Sequence, residues 1–278
     1  MRSVIWVVLM AVGATLASAT GQHLAPADFK RASAEEKRTT LHRLAESPLG
    51  SADPDITELL SAALDDTGEE TRLLALSVVT GRAFAQQSSL TSHPSERAML
   101  LALRPRLLRF LRDNNEEARL MGVRAVGNIE MERSNGKARL NRDFAQRIIT
   151  IYASDPSNRV RAEIVKALAL TESDANASDR RAVFLDALGS SDISTIQYAV
   201  LGAGQLHLTV ALPRIAQLLA HGDRQLRIIA AQVIPQFGAV AAQYLPNLER
   251  AVIRETDEAT RQTLLGAIQL IQRKGPQQ

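Results

Sequence analysis

The chain has no cysteine in its 278 residues. That absence removes disulfides, thiolate metal sites, cysteine nucleophiles and a lipid-modified N-terminal cysteine together. Aromatic residues are only 4% of the chain, and the single tryptophan, Trp6, sits near the N-terminus. Stacking platforms for nucleic-acid bases are therefore scarce. An excess of one charge is missing too. The formal net charge is +3, which supports no strong electrostatic reading, although charged residues make up 23% and hydrophobic residues 45%. That balance excludes wholesale disorder. Catalytic and metal-binding signatures are equally thin. No two of His23, His42, His93, His207 and His221 stand four apart, and there is no His-Glu-x-x-His, no Gly-x-Ser-x-Gly elbow and no phosphate-cradling glycine loop.

Long apolar runs are absent with one exception. Residues 4–17 are uncharged and apolar, Arg2 precedes them, and Ala17-Ser18-Ala19 follows. A basic start, a short apolar core and small residues at a cleavage position form the layout of a secretory signal peptide. The run is shorter than the roughly 20 residues a bilayer span needs. The sequence thus predicts a signal peptide over 1–19 with cleavage after Ala19, and an exported chain that is periplasmic or secreted, from a bacterium. No integral membrane segment is expected after its removal.

What is present is a repeat. Six segments share one plan, an apolar helix, a short polar turn and a second helix opening on a basic residue: 59–79, 107–126, 148–168, 184–203, 215–234 and 248–268. Taking Arg72, Arg119, Arg161, Gln197, Arg227 and Arg261 as anchors, the repeats recur at intervals of 30 to 47 residues. The longer intervals carry polar insertions at 85–95, 130–140 and 171–179. Three positions after the anchors repeat in kind. The first holds Ala75, Gly122, Ile164, Val200, Ala230 and Leu264. The second holds Val78, Ala125, Ala167, Ala203, Val233 and Ala267. The third holds Val79, Val126, Leu168, Gly204, Ile234 and Ile268. Their spacing puts them on one face of a helix. The second position holds only Ala or Val, as a close helix–helix approach requires.

Start signals agree with this division. Ser33 with Glu36, and Thr67 with Glu70, have capping-box spacing. Ser157, Ser191 and Asp257 are suited to cap second helices. Asp53-Pro54 suits a helix start, and Pro235 should kink or end the fifth second helix. No alternating run is long enough for a strand, so no sheet is expected.

In these residues the chain resembles the HEAT-repeat family, in the short-unit branch named after phycobilisome (PBS) lyases. The shared pattern is a turn Asp with an Arg six residues later, here Asp66 with Arg72, Asp113 with Arg119 and Asp155 with Arg161. The fourth unit departs, with Gln197. The fifth and sixth depart because Asp223 and Asp257 stand only four residues before Arg227 and Arg261. The resemblance covers about residues 55–272. It implies an all-α, right-handed α-solenoid of about six HEAT-like helix pairs over 55–278. Residues 20–54 would be an N-terminal segment with a capping helix near 34–46, covering the end repeat's outer face.

Charge is uneven along the chain. Residues 44–71 hold eight acids and no base, whereas 97–112 hold Arg97, Arg104, Arg106, Arg109 and Arg112 and no acid. The second stretch is a candidate anion patch. Against that, 28 of the 33 basic residues are arginine, so an arginine-rich stretch also reads as composition. The anchor arginines read as structural, each able to pair with a turn Asp of its own or the adjacent unit. Ser134-Asn135-Gly136-Lys137 has Ser-x-x-Lys spacing but no companion motif, and reads as a turn. Asp174, Asn176 and Ser178 alternate as in a calcium loop but lack its glycine and final glutamate, so they read as a capping loop. Asn176-Ala177-Ser178 is formally a glycosylation acceptor.

Taken together, the residues point to a non-enzymatic scaffold without cofactor, binding a protein or peptide on the concave face lined by second helices. The candidate contact residues flank the buried stripe: Glu117, Arg124, Asn128, Arg159, Glu163, Lys166, Gln225, Gln232 and Gln236. Two alternatives follow from the resemblance. One is an enzyme of the PBS-lyase type, a bilin-attaching activity. The other is a nucleic-acid-binding HEAT-like protein, as some DNA glycosylases are. Export, the low net charge and the few aromatics weigh against a nucleic-acid partner.

Overall fold

The computed structural model describes residues 24–50, 55–89, 93–134, 137–173, 175 and 177–274. The predicted signal peptide, Asp53-Pro54, Asn135-Gly136, Asp174 and Asn176 lie outside them. The helices pair in sequence. A short α1 (Pro26–Phe29) precedes α2 (Ala34–Glu46). Then come α3 (Asp55–Leu64) with α4 (Glu69–Ser88), and α5 (Pro94–Phe110) with α6 (Glu116–Glu130). Next are α7 (Arg142–Tyr152) with α8 (Asn158–Ala169), and α9 (Ala177–Ala187) with α10 (Ile193–Gln205). The last pairs are α11 (Leu212–Gln217) with α12 (Arg224–Val233), and α13 (Leu245–Arg254) with α14 (Glu258–Lys274).

The even-numbered helices from α2 to α14 each pack on the next, forming one continuous layer; α4, α6, α8, α10 and α14 also pack on their odd-numbered partners, and α12 on the 3-10 turn that follows α11. This is an α-solenoid, as the repeat implies. The predicted seam is its core. All six residues at the first repeating position are buried, and so are most at the second and third; Ala167 and Ile268 are half-buried. The stretch 20–54 is more than a lid: α1 meets α3 and α2 meets α4, so its helices continue both layers.

Caps fix the register more firmly than the anchors do. Ser33 and Glu36 form a full capping box. Ser157 accepts from the Arg159 and Val160 amides, and Asp257 from the Thr260 amide. Two expected caps move. Gly68, not Thr67, precedes α4, and its amide donates to the Asp66 carboxylate. Asp192, not Ser191, caps α10 by accepting from the Thr195 amide. Counting from Asp192, the anchor position of the fourth unit is Ile196 rather than Gln197. The buried set there becomes Ala199, Gly202 and Ala203, all buried. Gly202 is required: a Cβ on it would stand 2.3 Å from the Phe184 ring of α9.

A second correction concerns the 130–140 insertion. It forms a hairpin, β1 (Met131–Ser134) with β2 (Lys137–Leu140), in antiparallel register with Glu132 opposite Arg139. The strands are too short and too polar to signal themselves by alternation. They are anchored instead by the next insertion: the Leu140 amide donates to the Glu172 carbonyl at 2.8 Å, and the Glu172 amide to the Ala138 carbonyl at 2.8 Å. Pro235 acts as expected. α12 ends at Val233, and a 3-10 stretch, Ile234–Tyr244, follows. Within that stretch Gly238 takes φ 63°, a left-handed conformation open to glycine. The span Arg224–Arg254 is long and apolar enough by composition to cross a membrane, but Gly238 interrupts it.

Candidate interaction surfaces

Each turn between paired helices is built around one side chain, two residues before the cap of the second helix. It accepts the cap residue's own amide: Asp66 from Gly68, Asp113 from Asn115 and Asp155 from Ser157, each at 2.8 Å. Later units use Ser190 for Asp192, His221 for Asp223 and Glu255 for Asp257. Six residues further on stands the anchor. Its guanidinium donates to carbonyls of its own turn in three units: Arg72 to Asp66 and Thr67, Arg119 to Asp113 and Asn114, Arg227 to His221 and Gly222.

The cation also reaches forward to the next unit's turn acid. Arg119 forks onto Asp155 at 2.7 and 3.1 Å, and Arg227 onto Glu255 at 2.6 and 3.0 Å. Lys37 of α2 makes the same contact with Asp66 at 2.7 Å. The anchor ladder is therefore real but incomplete, and the sixth unit keeps its acid as Glu255. Asp223 and Asp257 are caps, which is why they stand only four residues before an Arg. The fork from Arg227 holds the Glu255 carboxyl below its ordinary value, against an opposing push from burial. Burial works against ionisation of Asp66, but hydrogen bonds from Lys37 and the Gly68 amide outweigh it and hold that carboxyl low.

Two rungs have no acid, at Ser190 and at His221. At the first, Arg161 turns to Asn158 and over the Tyr152 ring, 5.7 Å from its centroid. A cleft of about 280 Å³ opens there. Burial raises the Tyr152 phenol, and its hydrogen bond to Asp186 raises it further.

The expected anion patch is not a bank of free cations. Arg106 and Arg109 both hold Asp65, Arg104 holds Glu130, and Arg97 stands 3.8 Å from Glu132. Only Arg112 of the five meets no carboxylate among the described residues. Of the acids in the 44–71 stretch only Asp65, just after α3, meets these arginines; Glu130 and Glu132 answer two of the others. Burial opposes the Asp65 carboxylate, yet its two arginines keep it below the ordinary range.

Counted from the caps, the nine candidate contact residues fall on four register positions, eight of them on even-numbered helices and Gln236 in the 3-10 stretch after α12. Glu117, Arg159 and Gln225 share one; Glu163 holds the next. Arg124, Lys166 and Gln232 share a third, and Asn128 and Gln236 the fourth. The central ones are joined to each other. Arg159 reaches Glu116 and Glu117, and Glu163 holds Arg124 at 2.9 Å and Lys166 at 3.3 Å. Sequence reasoning passed over the position of Glu163 in the other units. It carries Leu74, Met121, Tyr198, Ile229 and Thr263, and all six are half-buried. A fixed distance from each cap was the signal, visible only once Asp192 replaced Ser191.

Catalytic candidates gain nothing. Lys137 is exposed and paired with Glu172. Among the described residues no three His, Asp or Glu side chains cluster as metal ligands would.

No protein-family model matches the sequence, and no curated protein does. Solved structures do. An archaeal HEAT-like repeats protein from Thermococcus onnurineus NA1 is 16% identical, with a TM-score of 0.59 over 87% of this chain and 98% of that one. An engineered protein, 16% identical, gives 0.56 over 79% of this chain and 97% of its own. At such identities the likeness speaks for architecture: the chain has the fold of the HEAT-like repeat solenoids.

Proposed function

We propose that this chain is an exported, non-enzymatic scaffold that docks an extended segment of a partner protein along the solvent-facing side of its even-numbered helices, the layer expected to line the concave face. The observation that carries the reading is the half-buried register position. A residue that is half-buried in unit after unit can lose its remaining water to a partner without unfolding anything. Leu74, Met121, Tyr198 and Ile229 supply apolar contact, and the Arg124–Glu163–Lys166 cluster at the centre supplies charge of both signs. Aromatic, Met and Arg contacts bordered by polar groups are what protein interfaces favour. The strip crosses repeats, so it suits a linear segment more than a compact ligand. Export is supported by the layout of residues 1–19, and on that reading the partner belongs to an envelope or extracellular compartment.

The test is site-specific cross-linking. A photoreactive side chain is placed at Met121 or Tyr198 on the strip, and at Leu101, exposed on α5, as the control. With the envelope fraction of the source cells, the strip positions should yield one shared cross-linked partner and the control none. Arg124→Glu with Lys166→Glu should abolish the adduct. An adduct that survives the double change, or forms equally from Leu101, refutes the reading.

A further inference from the structure

A cleft larger than the one at Tyr152 lies away from that strip, between the fifth and sixth units. It holds about 520 Å³ and is bounded by α11, the turn after it, α13 and, from α12, Arg227. Its floor is small and apolar: Ala216, Leu219, Ala220 and Ala251. Arg250 and Arg254 border it, one turn apart on α13, which places them on the same face of that helix. Both are exposed, and neither meets a carboxylate among the described residues; Arg250 donates only to the Pro246 carbonyl. The one acid lining the cleft, Glu255, is consumed by the Arg227 fork and the Asp257 amide. The positive field of the two guanidiniums is therefore uncancelled where the apolar floor begins. This differs from the 97–112 stretch, where acids on neighbouring elements neutralise the arginines.

We infer that this cleft binds a small organic oxyanion, a carboxylate or phosphate monoester joined to a compact apolar body. Two guanidinium forks match the planar or trigonal oxygens of such a head. The amide of Asn247 offers a further donor at the rim. The floor accepts the body, and the volume lies within the usual range for small-ligand sites. His221 turns its Nδ1 to the Asp223 amide, which leaves Nε2 as the ring's other polar atom. Apart from Arg227 of α12, the cleft is lined by the odd-numbered layer and the turns, and none of the docking-strip residues lines it.

Calorimetric titration of the full chain with phenyl phosphate, hexanoate and inorganic phosphate tests it. Phenyl phosphate or hexanoate should bind saturably, and inorganic phosphate more weakly because it lacks a body. Arg250→Gln with Arg254→Gln should weaken binding by about tenfold or more, the loss expected for charge-assisted contacts. Ala220→Leu, at an exposed floor position, should weaken phenyl phosphate and hexanoate while sparing inorganic phosphate. Unchanged melting confirms that each variant is folded. The inference is overturned if neither organic anion saturates, or if the double arginine variant binds them as the parent does. The cross-linking experiment reads a different face, so either proposal can fail alone.

Discussion

Arg82 is the best place to break this molecule. It lies on α4 with its side chain 3% exposed, and its partner Glu96 on α5 is 2% exposed. The pair is a fork, Nε to Oε1 at 2.7 Å and a terminal nitrogen to Oε2 at 2.5 Å. The other terminal nitrogen donates to the Leu44 carbonyl at 2.9 Å and to Ser47, at the end of α2. Glu96 Oε2 also accepts the Gly50 amide at 3.1 Å, and Gly50 bends there at φ 75°. One guanidinium thus ties α2, α4 and α5 together. Arg82→Met leaves a buried carboxylate without its cation and strands the Leu44 and Ser47 carbonyls. Breaking such a pair costs about 3–5 kcal/mol. Arg82→Met with Glu96→Leu removes both charges and should recover a substantial part of the loss. Because contacts in a solenoid are nearest-neighbour, the damage should stay local. Denaturant unfolding gives the size of the effect, and amide hydrogen exchange gives its place: α2 amides should lose protection while α13 and α14 keep theirs. A loss below about 1 kcal/mol, the scale of a surface pair, would refute the reasoning, as would a double variant no better than the single.

Three further outcomes are expected. Gly202→Ala should lower stability by about 1–3 kcal/mol, the range for an overpacked core, and Phe184→Leu in the same chain should relieve part of it; thermal melting of both reads this. The Glu255 and Asp66 carboxyls titrate lower in the folded chain than in the unfolded one. Their contribution is therefore full above the ordinary carboxylate range and is lost as pH falls through their folded values. Denaturation midpoints at neutral and acidic pH should show this, with Glu255→Gln weaker at neutral pH and less sensitive to acid. Finally, Asp65→Asn releases Arg106 and Arg109 together. The variant should bind heparin resin in low salt more tightly than the parent; equal elution would mean that Asp65 does not mask them.

The helix order and the seam were legible because both are properties of a single helix face. Ala75, Val79 and Leu264 declare their side by spacing alone, and Ser33, Ser157 and Asp257 announce helix starts by chemistry local to one turn. The fourth unit misled by one residue because Ser191 and Asp192 are both good caps, and Val200, Ala203 and Gly204 are as apolar and as buried as Ala199, Gly202 and Ala203. The hairpin escaped because its strands draw hydrogen bonds from Glu172, more than thirty residues away.

The sequence by itself determined that the chain is a stack of helix pairs with a small-residue seam, since periodicity and capping act within a few residues. It also set the turn acids and the anchor cations. Only the tertiary structure decided which of them meet. Arg119 and Asp155 are 36 residues apart, Arg227 and Glu255 are 28, and Arg109 and Asp65 are 44. Whether two such charges touch depends on the rise and rotation from one unit to the next, which packing sets and no single segment encodes. The same geometry leaves Arg250 and Arg254 unanswered beside an open cleft.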